Sequence, residues 1–465
     1  MPQFYNWIND LIGRHKKVDQ AAQREQNIAK ARKKYNRVSR FIRILGPGVV
    51  TGAADDDPSG IATYSQSGAI YGTKLLWLFP IMFPLLLAVQ ESCARIGAVT
   101  GDGLAAILKK HYNKKILVGA VLLAVVANTV NIGADLGAMA ASMQLLFPRA
   151  QYVSLAIIFA LVCILMQVFV PYKLYSKILK WLALALFVYP VTAFLVGQDW
   201  GHVIMQTFTP QFDFNRETIY IIVGILGTTI SPYLFFWNTS EVVEGEVEAK
   251  RIGISSGTGT PIISKRFIRK VRIDTIAGMS LAIVSAWFIV VACASVLNAH
   301  GITEINSASD AAAALEPLVQ GFPHSGLIAK ILFSVGIIGT GLLAVPVLAG
   351  SSSYALSEAF GLREGLYRKV GKARGFYGII ALATLAGLMI NFLGIDPIQA
   401  LIFTAVFNAV AAVPLLWMIL RVGNNVEIMG KYKNSKWSNL GIVTAFILMS
   451  IGTIVLFVSL LPAWQ

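Results

Sequence analysis

Charge is scarce in this chain. Of its 465 residues only 14% are Asp, Glu, Lys or Arg and 56% are apolar, whereas soluble domains carry about a quarter charged residues. That balance excludes an ordinary soluble domain and marks a polytopic membrane protein. Cysteine is scarcer still. Cys93, Cys163 and Cys293 each lie inside an apolar run and share no metal-ligand spacing, so they read as inert packing residues. Also missing is any separate domain with a basic stripe and interleaved aromatics, which excludes nucleic acid as a partner despite a net charge of +15. No cleavable signal is evident, because the first forty or so residues are polar and basic, without a short apolar core before a small-residue cleavage site.

What is present is a series of apolar windows, each near the roughly 20 residues that cross a bilayer as a helix. They run 44–70, 75–98, 115–141, 152–170, 178–197, 219–240, 275–298, 327–357, 376–393, 398–420 and 439–461. Eleven spans are therefore expected. With a cytosolic N-terminal tail (1–43), all the Lys and Arg residues except Lys74, Arg149, Arg216 and Lys330 fall in the tail, in cytoplasmic connections or at adjoining helix ends. An odd count then places Gln465 outside. The tail from Lys16 to Arg43 is expected to touch anionic lipid as an amphipathic or disordered segment. The two long external connections, "GQDWGHVIMQTFTPQFDFNRE" and "HGITEINSASDAAAALEPLVQGFPH", lean acidic, which suits cation collection as well as simple solvation.

Two of the windows are interrupted. "DDDPSG" breaks the first, and Ser231-Pro232 sits in the middle of the sixth, within "GILGTTISPYLFFWNTSE". The sixth window opens a second set of five, so the breaks fall at corresponding positions of two halves, 44–197 and 219–420, with 439–461 as an additional helix. Paired broken helices are the sequence mark of an inverted-repeat transporter whose substrate site lies at the unwound segments. A proline there removes a donor and leaves carbonyls without helical partners, free to coordinate a cation.

The acids near the breaks sharpen this expectation. A charged Asp at the bilayer centre costs about 2.5–3.5 kcal/mol on insertion scales, and no basic residue lies near the centre of any span to neutralise Asp57. A bound cation is the natural counter-charge. Asp135 in "NTVNIGADLGAMAAS" is a second buried candidate, equally readable as a structural acid, and Glu91 precedes Arg95 by one helical turn, the spacing of a simple ion pair.

"LGPGVVTGAADDDPSGIATYSQSGAIYG", followed by "AVQESCARIGAVTGDGLA", "GADLGA" and "GTTISPYLFFWNTSE", resembles the Nramp (SLC11) family of divalent-metal transporters. The resemblance covers about Leu45 to Leu420 and implies an all-α fold of the leucine-transporter type, a 5+5 inverted repeat with helices 1 and 6 broken. It places Asp57 on the family's metal-binding Asp, Ala54 and Thr228 on carbonyl ligands, Gly60 on the metal-binding Asn, and Ser231 on the metal-binding Met. Tyr233 and Asn238 take the places of two histidines associated with proton movement, and Ala138 that of a third-helix Glu, while Asp135 keeps its acid. This pattern is similar to the Nramp-related magnesium transporters.

Ligand chemistry gives the departures their meaning. A thioether favours transition metals, whereas carboxylate, carbonyl, hydroxyl and water favour Mg²⁺, Ca²⁺ and Mn²⁺. Mg²⁺ dehydrates reluctantly, so Gly60 and Ser231 leave room for a partly hydrated ion touching Asp57, Ala54, Thr228, Ser231 and Tyr233. Asp55 and Asp56 could bind its waters, but are expected rather to face an external vestibule. The sequence therefore predicts a non-enzymatic carrier in a prokaryotic inner membrane, taking up Mg²⁺ and Mn²⁺ without obligatory proton coupling, with no cofactor and no obligatory protein partner. A proton-coupled transition-metal Nramp transporter and an amino-acid symporter on the same fold are the rivals within transport. An intramembrane aspartyl protease using Asp57 and Asp135 is the rival outside it, against which stands the absence of Tyr-Asp and Gly-x-Gly-Asp signatures.

Overall fold

The computed structural model describes residues 47–170, 174, 178, 187–195, 198–211, 215–248, 263–303, 305, 308–313 and 324–459. Among these residues the regular structure is entirely helical. In chain order the α-helices are α1 (Pro47–Asp55), α2 (Pro58–Tyr71), α3 (Leu78–Thr100), α4 (Leu104–His111), α5 (Lys114–Leu146), α6 (Tyr152–Phe169), α7 (Val188–Leu195), α8 (Trp200–Phe208), α9 (Arg216–Thr229), α10 (Pro232–Glu248), α11 (Lys265–Val296), α12 (Ala308–Ala313), α13 (Ser325–Phe360), α14 (Arg374–Ile390), α15 (Pro397–Asn424), α16 (Val426–Met429) and α17 (Lys436–Ser459).

Among the described residues eight helical stretches are long and apolar enough to cross a membrane: α3, α5, α6, α9 with α10, α11, α13, α15 and α17. Three of the eleven predicted windows are not among them. The first is split into α1 and α2, the ninth forms α14 with only 17 residues, and half of 178–197 lies outside the described residues. The tail 1–43 lies outside them as well.

Both predicted breaks are present, and local chemistry explains each. Asp57 is extended (φ −67°, ψ 172°) and caps α2, whose first residue is Pro58. An Asp cap followed by proline at the first helical position is a strong start signal, since the missing N–H would have been unpaired anyway. The sixth window behaves in the same way: α9 ends at Thr229 and α10 restarts at Pro232.

Helices without a hydrophobic drive toward one another associate through small residues that let backbones approach. The first broken helix uses this against α11. A Cβ at Gly52 would lie 2.1 Å from the Gly278 carbonyl oxygen, and one at Gly278 would lie 1.8 Å from that of Gly48. The backbone amide of Gly48 also donates to Asp274 Oδ2 at 2.9 Å. Across the site, α9 lies against α15, where a Cβ at Gly227 would meet the Ala405 carbonyl oxygen at 2.1 Å. Helix α5 packs along α13 and α15, so it passes beside the first break. The cysteines pack as expected: Cys93, Cys163 and Cys293 are unbridged and buried.

Candidate metal site at the helix breaks

The first break presents a fixed carboxylate. Asp57 Oδ1 accepts from the Ser59 hydroxyl at 2.6 Å and from the Gly60 amide at 2.7 Å, and Oδ2 accepts from the Asn131 amide nitrogen at 2.8 Å. All three donors are neutral. Asp57 is 1% exposed, so its charge meets the positive end of the α2 dipole and a set of polar hydrogens instead of an ion pair.

At the second break the hydroxyl of Ser231 turns back on the end of α9, donating to the carbonyls of Gly227 at 2.9 Å and Thr228 at 2.5 Å. Its oxygen lone pairs remain available as hard ligands. Tyr233 crosses to the first break, where its hydroxyl donates to the Ala54 carbonyl at 2.7 Å. Each carbonyl has two lone pairs, so Ala54 and Thr228 keep one apiece. Tyr64 on α2 joins Thr229 on α9 through their hydroxyls at 2.9 Å, a second bridge between the halves.

Gly60 faces the Thr228 side chain. A Cβ there would lie 3.1 Å from Thr228 Oγ1 and 3.4 Å from the Asp55 carbonyl oxygen. Thr228 Oγ1 is buried and has no hydrogen-bond partner. The predicted set Asp57, Ala54, Gly60, Thr228, Ser231 and Tyr233 is thus drawn together by contacts across the two breaks.

The remaining acids depart from expectation. Asp55 and Asp56 are 1% and 0% exposed, so they do not face an open external vestibule in this conformation. Helix α1 continues through Asp55 and packs against α11, so the chain enters the break inside the helix bundle. Among the described residues neither carboxylate has a hydrogen-bond partner, and the same holds for Asp135, which is 0% exposed. Even so, the acids do not converge: among the described residues no three His, Cys, Asp or Glu side chains are placed to hold a metal together. The donors gathered at the breaks are one carboxylate with carbonyls and hydroxyls, not an acidic cage.

Further out, Asn238 donates to the carbonyl and side-chain oxygens of Gln90, both at 3.0 Å, tying α10 to α3. Ala138 lines an apolar cavity of about 10 Å³ with Ile61, Ile337 and Leu401, at the threshold for one water. A cavity of about 390 Å³, lined by Thr73, Asp199, His202 and Asn298, shares no residue with the breaks. Glu91 pairs with Arg95 at 2.8 Å, as its spacing predicted, and also with Arg272 at 3.1 Å.

Sequence reasoning missed Asn131, Thr404 and Ser59. A signal for the first existed, since Asn131 precedes Asp135 by one helical turn and a buried amide in a membrane helix needs a partner.

The family model described as "Natural resistance-associated macrophage protein-like" matches residues 48–459. The chain belongs to the Nramp family. Among its relatives, the divalent metal cation transporter MntH of Caldanaerobacter subterraneus is 23% identical, covering 91% of this chain and 94% of the relative. That of Deinococcus radiodurans is 26% identical over 83% of each. The manganese transporter of Eremococcus coleocola superposes with a TM-score of 0.68 at 17% identity, covering 90% of this chain and 86% of that one. MhsT, solved with L-phenylalanine, superposes with a TM-score of 0.55 at 13% identity over 89% of this chain. The Nramp fold and the wider leucine-transporter architecture are thereby common ground.

Proposed function

We propose that this Nramp protein carries divalent cations into the cell, with Mg²⁺ and Mn²⁺ as substrates, by alternating access and without obligatory proton co-transport. The observation that carries the reading is Asp57: a buried carboxylate at a helix break, held by neutral donors alone. A dication at its free lone pair supplies the missing charge. The relatives' names support divalent metal as the cargo class. The hard donors Ser231 and Thr228, and the lack of any side-chain ligand at Gly60, support the Mg²⁺-tolerant branch. The distribution of Lys and Arg along the sequence supports a prokaryotic inner membrane with the N-terminus cytoplasmic and, on eleven spans, the C-terminus outside.

Purified protein in liposomes should admit Mg²⁺ and Mn²⁺, each competing with the other, and Ca²⁺ less well. Asp57→Ala should remove that flux while the protein stays monodisperse. Wild-type flux through folded Asp57→Ala would sink this reading of the site. Entry of Mn²⁺ with millimolar Mg²⁺ neither entering nor competing would leave a transporter for transition metals only. Amino-acid competition for the same flux would favour the symporter rival.

A further inference from the structure

We infer that Asn131, anchored by Thr404, is a specificity-determining residue: it holds Asp57 so that the carboxylate can meet a cation through one oxygen only. The inference rests on the reading of Asp57 as a substrate ligand. An ionised carboxylate has about four lone-pair positions. Ser59 and Gly60 take both positions on Oδ1, at 2.6 and 2.7 Å, and Asn131 takes one on Oδ2, at 2.8 Å. The Ser59 backbone amide also bears on the carboxylate, so no more than one position remains, on Oδ2.

The orientation of Asn131 is fixed by chemistry. A carboxylate can only accept, so the amide nitrogen must face Asp57, and the amide oxygen faces Thr404, whose hydroxyl lies 3.0 Å away. That hydroxyl hydrogen is shared with the Leu401 carbonyl at 2.7 Å, which ties the clamp to the backbone of α15. Asp57, Asn131 and Thr404 are all within 1% of full burial, so water does not compete for these bonds. The clamp therefore joins α2, α5 and α15 around one carboxylate.

One free position suits some ions better than others. Ca²⁺ takes 6–8 oxygens and often a bidentate carboxylate, whereas Mg²⁺ keeps six ligands, several of them water, and accepts a single carboxylate oxygen. A carboxylate unable to chelate disfavours Ca²⁺ relative to the smaller ions. Removing Asn131 leaves the carboxylate anchored through Oδ1 alone, so it can turn about its Cβ–Cγ bond, exchange one of those Oδ1 hydrogen bonds for the cation and offer both oxygens.

The test is calorimetric titration of detergent-purified full-length protein with MnCl₂ and with CaCl₂, for wild type, Asn131→Ala, Thr404→Val and Asp57→Ala. Outer partners of metal ligands commonly change affinity by about 10–100-fold. Asn131→Ala should accordingly shift the Ca²⁺ to Mn²⁺ affinity ratio toward Ca²⁺ by roughly tenfold, and Thr404→Val should move it the same way by less. An unchanged ratio in both variants, or equal weakening of both ions, overturns the inference while the Asp57 reading stands. Binding of Mn²⁺ by folded Asp57→Ala at wild-type strength overturns that reading instead. Should Asn131→Ala fail to fold, the sign of the Thr404→Val shift decides, and no shift counts against the clamp.

Discussion

Gly60 and Ser231 are where, by the resemblance, the metal-ligand positions of this chain part from the family pattern, and each departure has a structural correlate. A side chain at Gly60 would enter the space beside Thr228 Oγ1, 3.1 Å from a new Cβ. Ser231 puts a hydroxyl against the carbonyls of Gly227 and Thr228, where a thioether could donate no hydrogen bond at all. Restoring the soft ligand with Ser231→Met, together with Gly60→Asn, should move preference from Mg²⁺ toward transition metals, read as Mn²⁺ flux with and without millimolar Mg²⁺. The contact distances at Gly60 set a condition on the expectation: Thr228 must yield by a few tenths of an ångström, so total flux should fall even as selectivity shifts. Unchanged Mg²⁺ competition in a folded double variant would mean that geometry outweighs ligand softness here. Position along the chain was sufficient to find Asp57, because an intramembrane acid beside a proline is costly and local. Asn131 and Thr404 are separated by 273 residues and meet through one hydrogen bond. Only the packing of α5 on α15 reveals that contact.

The breaks themselves were legible as elements, because proline and an N-capping Asp act over a few residues. Less legible were the carboxylates that join elements at the face predicted to be cytoplasmic. Glu358, near the end of α13, accepts from the amides of Ala105 and Ala106 at 2.8 and 3.1 Å and so caps α4, and it also receives the Ser240 hydroxyl at 3.0 Å. A Cβ at Gly103 would lie 1.7 Å from Glu358 Oε1, so a side chain there would push the carboxylate away from these bonds. Glu244 on α10 gathers Tyr354 together with the amides of Leu366 and Tyr367, the latter two at 2.7 and 3.1 Å. In the connection after α13, Glu364 sits close to these acids. Burial, then the charges of Glu358, Asp102 and Glu244, push its carboxyl up to about 10, with Arg368 pulling the other way.

A carboxyl raised in the folded state favours folding below its unfolded value, near pH 4.5, and that contribution is lost as pH climbs toward about 10. Glu364→Gln keeps the neutral shape without the titration. Its melting temperature in detergent should match wild type near pH 4.5 and exceed it progressively up to pH 9. A gap that stays constant with pH would show that Glu364 ionises in the fold as it does in the unfolded chain.

Over the whole molecule, coupling is decided by which groups along the transport path can exchange a proton. Tyr233 donates its hydroxyl to the Ala54 carbonyl, Asn238 donates its amide to Gln90, and Ala138 lines an apolar cavity. A phenol, an amide and a methyl cannot cycle a proton near neutral pH, and these are the three positions on which the resemblance places the titratable groups of proton-coupled Nramp proteins. An uncoupled carrier still has a driving force. Moving a dication inward gains about 4.6 kcal/mol per 100 mV, at about 2.3 per charge, which supports roughly a thousandfold accumulation. In proteoliposomes an inside-negative potential should therefore accelerate Mg²⁺ entry, and a luminal pH dye should stay flat as Mg²⁺ or Mn²⁺ accumulates. Luminal acidification that scales with metal flux and is absent from empty liposomes would contradict this, and it would direct attention to Asp55, Asp56 and Asp135, the buried acids without hydrogen-bond partners. Replacing each in turn with Asn would then separate proton from metal: the coupling residue is the one whose variant keeps metal entry and loses the acidification.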